Sequence, residues 1–295
     1  MKIGDWPTTP ELAGIYRQAR ALGLESNLAE LEAFGFTIVE PDRLAPAKFQ
    51  RALAEALKSL CDSEAMDHVL LNGFEAPPTA ARNLFHVPAK GPVFVEAMMN
   101  PVVLTLAKYL CGASLRLYST VAFVKSEPGQ ATRLHSDAIG TPPPLPSGGH
   151  MCNASWLLTD YTRQNGCFAL VAGSHRYCRH PTAAEQPVVL GGSGEEICIP
   201  IEAPAGSLLI FHGNMWHGAY PKQDHSLRSH IAFAYCRNYV EPAESFDDIP
   251  QAEVERWGDE FAGLLGRGRW QGYGSEGPDY ARFARVSRAQ SAPGA

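Results

Sequence analysis

The chain has no C-x-x-C pair. Its seven cysteines, Cys61, Cys111, Cys152, Cys167, Cys178, Cys198 and Cys236, are scattered and odd in number. This argues against a zinc or disulfide framework and reads as free thiols in a reducing compartment. No apolar run approaches the roughly 18 residues of a membrane span. The first residues, Met1-Lys2-Ile3-Gly4-Asp5-Trp6-Pro7, lack the apolar core of a signal peptide. Long blocks of like charge are missing, and the formal net charge is −6. Nucleic acid is therefore not an expected partner. Internal repeats are absent too. Together these absences predict a soluble cytoplasmic protein.

What is present is core material. Of 295 residues, 45% are hydrophobic and 19% charged, an ordinary globular balance. A single domain over 1–295 is expected in three parts: helical N-terminal support at about 9–112, a β core at about 115–240, and a C-terminal helix and tail at 241–295. Leu12, Ile15, Ala19 and Leu22 recur at helical spacing, and the pattern runs over 9–34 until Gly35. Residues 36–39 read as a short strand. Residues 46–60 read as a helix with Phe49, Leu53, Leu57 and Leu60 on one face. Residues 72–91 are punctuated by Pro and Gly and read as a loop. A helix is expected over 92–110, with Pro92 in its first turn.

After that the pattern turns extended. Strands are expected at 115–125, 156–159, 168–171, 196–201, 207–211 and 230–235, the second and third joined by the turn Gln164-Asn165-Gly166. Several short strands with turn signals between them predict an all-β barrel or jelly roll. A last helix is expected over 250–265.

The stretch Arg133-Leu134-His135-Ser136-Asp137 carries the chemistry. In an extended segment, side chains two apart point the same way, so His135 and Asp137 together offer a metal one nitrogen and one oxygen. His217, just past a later apolar strand, is the candidate third ligand. His212 lies close by, but His217 is preferred because Arg228 follows it at a suitable spacing. Two histidines and one carboxylate with open positions are the facial set of a non-haem Fe(II) oxygenase. Arg228 suits the far carboxylate of a dicarboxylate co-substrate, which a guanidinium grips bidentately; the alternative is an ion pair with Asp224 or Glu241. His175, His225 and His230 read as structural residues.

The segments around these residues resemble the phytanoyl-CoA dioxygenase family of Fe(II)/2-oxoglutarate oxygenases. The similar pieces are His135-Ser136-Asp137, Trp156-Leu157-Leu158-Thr159-Asp160 with Asn165-Gly166-Cys167, and Val171-Ala172-Gly173-Ser174-His175. Pro204 to Phe211, then Trp216-His217-Gly218 and Arg228, complete the set. The resemblance implies a double-stranded β-helix, a jelly-roll core of the cupin type, flanked by N-terminal helices. It implies Fe(II) on His135, Asp137 and His217, 2-oxoglutarate on Arg228, and O2 as oxidant. Trp156 stands at the family position lining the co-substrate pocket, with core filling as the alternative. Thr132 and Asn153 are near the site in sequence and are candidates to reach the 2-oxoglutarate. Ala219 stands where the family often has Ser or Thr, which removes one auxiliary hydrogen bond. Halogenating relatives replace the carboxylate that Asp137 keeps, so oxygenation is expected.

The Pro-rich loop over 138–149 follows the metal motif directly and is a candidate lid. Its content points to an apolar small-molecule substrate, such as a secondary metabolite, with hydroxylation as the default outcome. An acyl-CoA substrate, a cupin-type enzyme without 2-oxoglutarate and a non-catalytic sensor are the alternatives.

Overall fold

The computed structural model describes residues 10–63, 81–185, 197–267 and, singly, 275, 277 and 280. Helices come first: α1 (Pro10–Ala21), α2 (Glu25–Phe34), the single turn α3 (Pro41–Leu44), α4 (Ala47–Ser63), α5 (Pro92–Met98) and α6 (Pro101–Cys111). Among them lie β1 (Phe36–Val39) and β2 (Ala81–Phe85). The β region follows as β3 (Arg116–Lys125), β4 (Thr132–His135), β5 (Met151–Leu157), β6 (Phe168–Leu170), β7 (Ile199–Ile201), β8 (Leu208–His212), β9 (His217–Ala219) and β10 (Arg228–Cys236). α7 (Gln251–Leu264) closes the described chain.

Two antiparallel sheets form the core. One has the order β1-β8-β5-β10-β3-β2, the other β4-β9-β6-β7. This is the expected jelly roll with N-terminal helices. Strand alternation sorts the side chains. Ile231, Phe233 and Tyr235 of β10 pack with the helices, alongside Leu53, Leu57, Phe94 and Leu106. His230, on the other face, meets Phe168 of the smaller sheet with ring centroids 5.0 Å apart. The sandwich interior thus lies between the sheets, and the helices cover the outer face of the larger one. No single helix among the described residues is long and apolar enough to cross a membrane.

Several expectations need correction. The pattern over 9–34 is two helices, because Gly23 takes a positive φ of 65°. The helix expected over 92–110 breaks before Pro101, whose ring disfavours a helical preceding residue. Asn100 caps the second piece there, accepting from the Val102 and Val103 amides at 2.9 and 3.4 Å. The loop expected over 72–91 contains strand β2, paired with β3; residues 72–80 lie outside the described residues. The Asn165-Gly166 turn does not close a hairpin. β5 and β6 belong to different sheets, so this turn carries the chain across the sandwich. β5 also starts at Met151, well before the expected strand.

Candidate metal centre

β4 pairs with β9 so that His135 stands directly opposite His217, with ring centroids 4.2 Å apart. Gly218 allows the approach, since a Cβ there would sit 2.4 Å from the Thr132 carbonyl oxygen. The Asp137 amide donates to the Gly213 carbonyl at 3.0 Å, which fixes the residue after the strand. Asp137 Oδ1 then lies 3.5 Å from His217 Nε2 and 3.9 Å from His135 Nε2. One donor atom from each residue falls within 4.8 Å of the others.

The histidine tautomers follow from their partners. His135 Nδ1 contacts the Arg133 carbonyl at 2.9 Å, and His217 Nδ1 the Met215 carbonyl at 3.1 Å. A carbonyl only accepts, so each Nδ1 carries a proton, which leaves Nε2 as the atom turned to the metal. Burial pushes His217 down to about 4; the Asp137 charge opposes this and His135 adds to it. His217 is therefore neutral at physiological pH, as a ligand must be. Two imidazoles and one carboxylate on one face fit divalent iron.

Arg228 opens β10 opposite Lys125 on β3 and is only 5% exposed. It donates to the Gly166 carbonyl. Its guanidinium lies 5.5 Å from the Tyr161 ring centroid, and its Nε has no partner. Asp224, a sequence candidate for its ion pair, is held by Lys222 instead. Burial, then Arg228, lowers Lys125 to about 8. Among the described residues, neither cation has an ion pair. His230 lies alongside, driven well below its usual range by burial and then by Arg228 and Lys125. It is hydrogen bonded to the Tyr161 hydroxyl at 2.6 Å. Two adjacent cations, Arg228 buried and Lys125 half-buried, with no carboxylate partner among the described residues fit a bound dicarboxylate.

The structure does not bring Trp156 into this group. It pairs with Ile231 and Leu208 on the helix-covered face of the large sheet and packs against Phe49 of α4, centroids 5.8 Å apart. Trp156 is core filling, because strand alternation turns it away from the sandwich interior. Thr132 lies at the far end of β4 from His135, level with Ala219 and Phe168. Asn153 reaches Asp137, with Nδ2 to Oδ2 at 3.5 Å. His212 pairs with Cys152 on the helix side and accepts from the Asn214 amide at 3.0 Å, away from the triad.

Sequence reading missed three contributors. Lys125 reads only as the end of the 115–125 strand, and Tyr161 belongs to no motif singled out in the sequence. His180 is hydrogen bonded to Ser136 Oγ at 2.8 Å and to the Thr141 carbonyl at 2.9 Å. Only the cross-strand register and the fold of distant loops reveal them. The loop over 138–149 is also tied down. The Leu145 amide donates to the Cys178 carbonyl, and Asn214 Nδ2 to the Pro146 carbonyl, each at 2.7 Å.

A jelly roll that holds two histidines and a carboxylate, with Arg228 and Lys125 in the same sandwich, fits a non-haem iron oxygenase. The phytanoyl-CoA dioxygenase (PhyH) family profile matches residues 31–229, and the chain belongs to that family. It is accordingly an iron- and 2-oxoglutarate-dependent oxidoreductase. It is 26% identical over 215 residues to dioxygenase af480 of Aspergillus fumigatus, covering 72% of this chain and 67% of that protein. Dioxygenase aneA of Aspergillus aculeatus is 27% identical over 183 residues, covering 59% of each chain. Among solved structures, the α-ketoglutarate-dependent epimerase SnoN from nogalamycin biosynthesis is similar with TM-score 0.58 and 22% identity, covering 80% of this chain and 92% of that one. HygX from Streptomyces hygroscopicus, with nickel and 2-oxoglutarate bound, gives TM-score 0.59 and 18% identity, covering 77% and 92%.

Proposed function

We propose that the protein oxidises an unactivated C–H bond of an apolar small molecule, a secondary metabolite by class, and that hydroxylation is the default outcome. One observation carries this reading: the His135–Asp137–His217 triad stands in the same sandwich as Arg228 and Lys125, which have no ion pair among the described residues. His135 Nε2, His217 Nε2 and Asp137 Oδ1 hold the iron. Arg228 and Lys125 neutralise the far carboxylate of 2-oxoglutarate. When bound, iron and co-substrate supply the oxidising chemistry, consuming O2 and releasing succinate and CO2.

The chain's part is positioning and exclusion. The Nδ1–H bonds to Arg133 and Met215 hold each imidazole in its ligand tautomer. The fastened 138–149 loop and the apolar interior around Phe211, Phe168 and Leu170 limit water. Asp137 keeps its carboxylate, which occupies the place a halide would need. Ile139, 72% exposed and two residues past Asp137, supports an apolar substrate. The similar structure from nogalamycin biosynthesis supports a secondary-metabolite setting.

The test is a succinate-release screen across lipophilic metabolites and their coenzyme A esters, with Fe(II) and 2-oxoglutarate supplied. Succinate in step with product from a free metabolite is the expected result. Product without succinate would overturn the 2-oxoglutarate role, and turnover of the esters alone would overturn the substrate class.

A further inference from the structure

The two oxygens of the Asp137 carboxylate have different surroundings. Oδ1 faces both histidine Nε2 atoms. Oδ2 faces Asn153 Nδ2 at 3.5 Å, the outer limit for a hydrogen bond; such contacts are often long before a site is loaded. Asn153 lies on β5, flanked by Phe211 of β8 and Ala234 of β10. Asparagine is poorly suited to a strand interior, and its cross-strand partners here are apolar, so its neighbours in the sheet do not account for it. Its other end does have a partner: Ser155 Oγ lies 3.1 Å from Asn153 Oδ1.

The direction of this chain is set by chemistry. An ionised carboxylate only accepts, so the amide must turn its NH2 toward Asp137. Its oxygen then faces Ser155, whose buried hydroxyl donates to it. Ser155 thus locks the amide orientation, and the amide locks the carboxylate.

We propose that Asn153, held by Ser155, is a positioning residue that occupies Asp137 Oδ2 and so presents Oδ1 alone to the metal. This rests on the triad reading given under Proposed function. A carboxylate free to turn would offer both oxygens and take a second position on the metal. Held as it is, Asp137 takes one position and leaves the opposite face open.

The test reads metal binding without turnover. Co(II) is titrated into the metal-free full chain, and affinity and the visible absorption band are followed. Asn153→Leu keeps the size and removes the donor; Asn153→Ala removes the donor and adds no charge. Both are expected to weaken Co(II) binding by about 10–100-fold and to alter the Co(II) band. Ser155→Ala should give a smaller loss of the same kind. If the Leu variant fails to fold, the Ala variant carries the same expectation. Wild-type Co(II) affinity and band in the folded Asn153 variants would overturn the proposal, as would a lowered melting temperature with unchanged Co(II) binding. Asp137→Ala separates the two readings. If it abolishes Co(II) binding while the Asn153 variants bind normally, only this inference falls. If it binds Co(II) as the wild type does, the triad reading falls with it.

Discussion

Arg228 and Lys125 stand directly opposite each other on β10 and β3, and among the described residues neither forms an ion pair. Arg228 is buried and Lys125 half-buried, and holding like charges side by side there opposes folding unless an anion arrives. The arrangement therefore stores a preference for a dianionic ligand. Lys125→Met should raise the melting temperature of the ligand-free protein and shrink the further rise that 2-oxoglutarate with Mn(II) produces. Arg228→Ala should weaken 2-oxoglutarate by roughly 10–100-fold, the loss expected for a charged hydrogen bond of about 1.5–3 kcal/mol, while Mn(II) binding stays. Thermal shift and isothermal titration check both. A Lys125→Met protein with an unchanged 2-oxoglutarate shift would remove the lysine from the pocket.

The same pair gives a pH dependence. Lys125 titrates at about 8 in the folded chain, against 10.5 without the fold. Between those values the unfolded chain holds more protons, so this group makes stability rise with pH. Co-substrate binding runs the other way, because the neutral amine attracts no carboxylate. KM for 2-oxoglutarate should climb above pH 8, and the slope should flatten in Lys125→Met. Melting curves and KM for the two proteins between pH 7 and 10 isolate this lysine from other groups.

The triad was legible because its ligands sit in a short motif and a strand end whose residue types have few other uses together. Arg228 stood out by its spacing from His217, and the structure sets it buried at the start of β10. Lys125 was not, since its partner lies on a strand far away in sequence and only register joins them. Trp156 misled because a fully buried strand shows no alternation from which to read its face; β5 is apolar on both sides except at Asn153 and Ser155. β9 has only three residues, too few to show a period. The break before Pro101 was readable from the proline itself, but the strong apolar pattern on both sides hid it.

The placement of Trp156 makes a direct prediction. Trp156→Ala removes a large, fully buried ring beneath α4 and should cost about 3–5 kcal/mol. Trp156→Phe keeps the edge contact with Phe49 and should cost far less. In the Phe variant, KM for 2-oxoglutarate should equal the wild-type value, measured by succinate release. A selective rise in that KM, with stability retained, would put the indole in the pocket after all.

Arg179 and His180 brace the metal motif from outside, and a double-mutant cycle tests this. His180 Nδ1 accepts from Ser136, which lies between two of the triad residues, and Nε2–H donates to the Thr141 carbonyl. The preceding residue meets the other half of the site: the Arg179 carbonyl accepts from Trp216 Nε1 at 2.8 Å, and its guanidinium lies 4.5 Å from that indole. Trp216 adjoins His217. Removing the imidazole leaves the buried Ser136 hydroxyl without an acceptor, at a cost of about 1–3 kcal/mol. It also frees the start of the 138–149 loop. His180→Ala should lower stability by that amount and speed hydrogen exchange at 138–142, with Co(II) binding weakened less than in His135→Ala. Ser136→Ala removes the stranded group itself, so the double variant should be no less stable than His180→Ala alone. Additive losses in that cycle would mean that the two side chains act independently and that the brace does not run through Ser136.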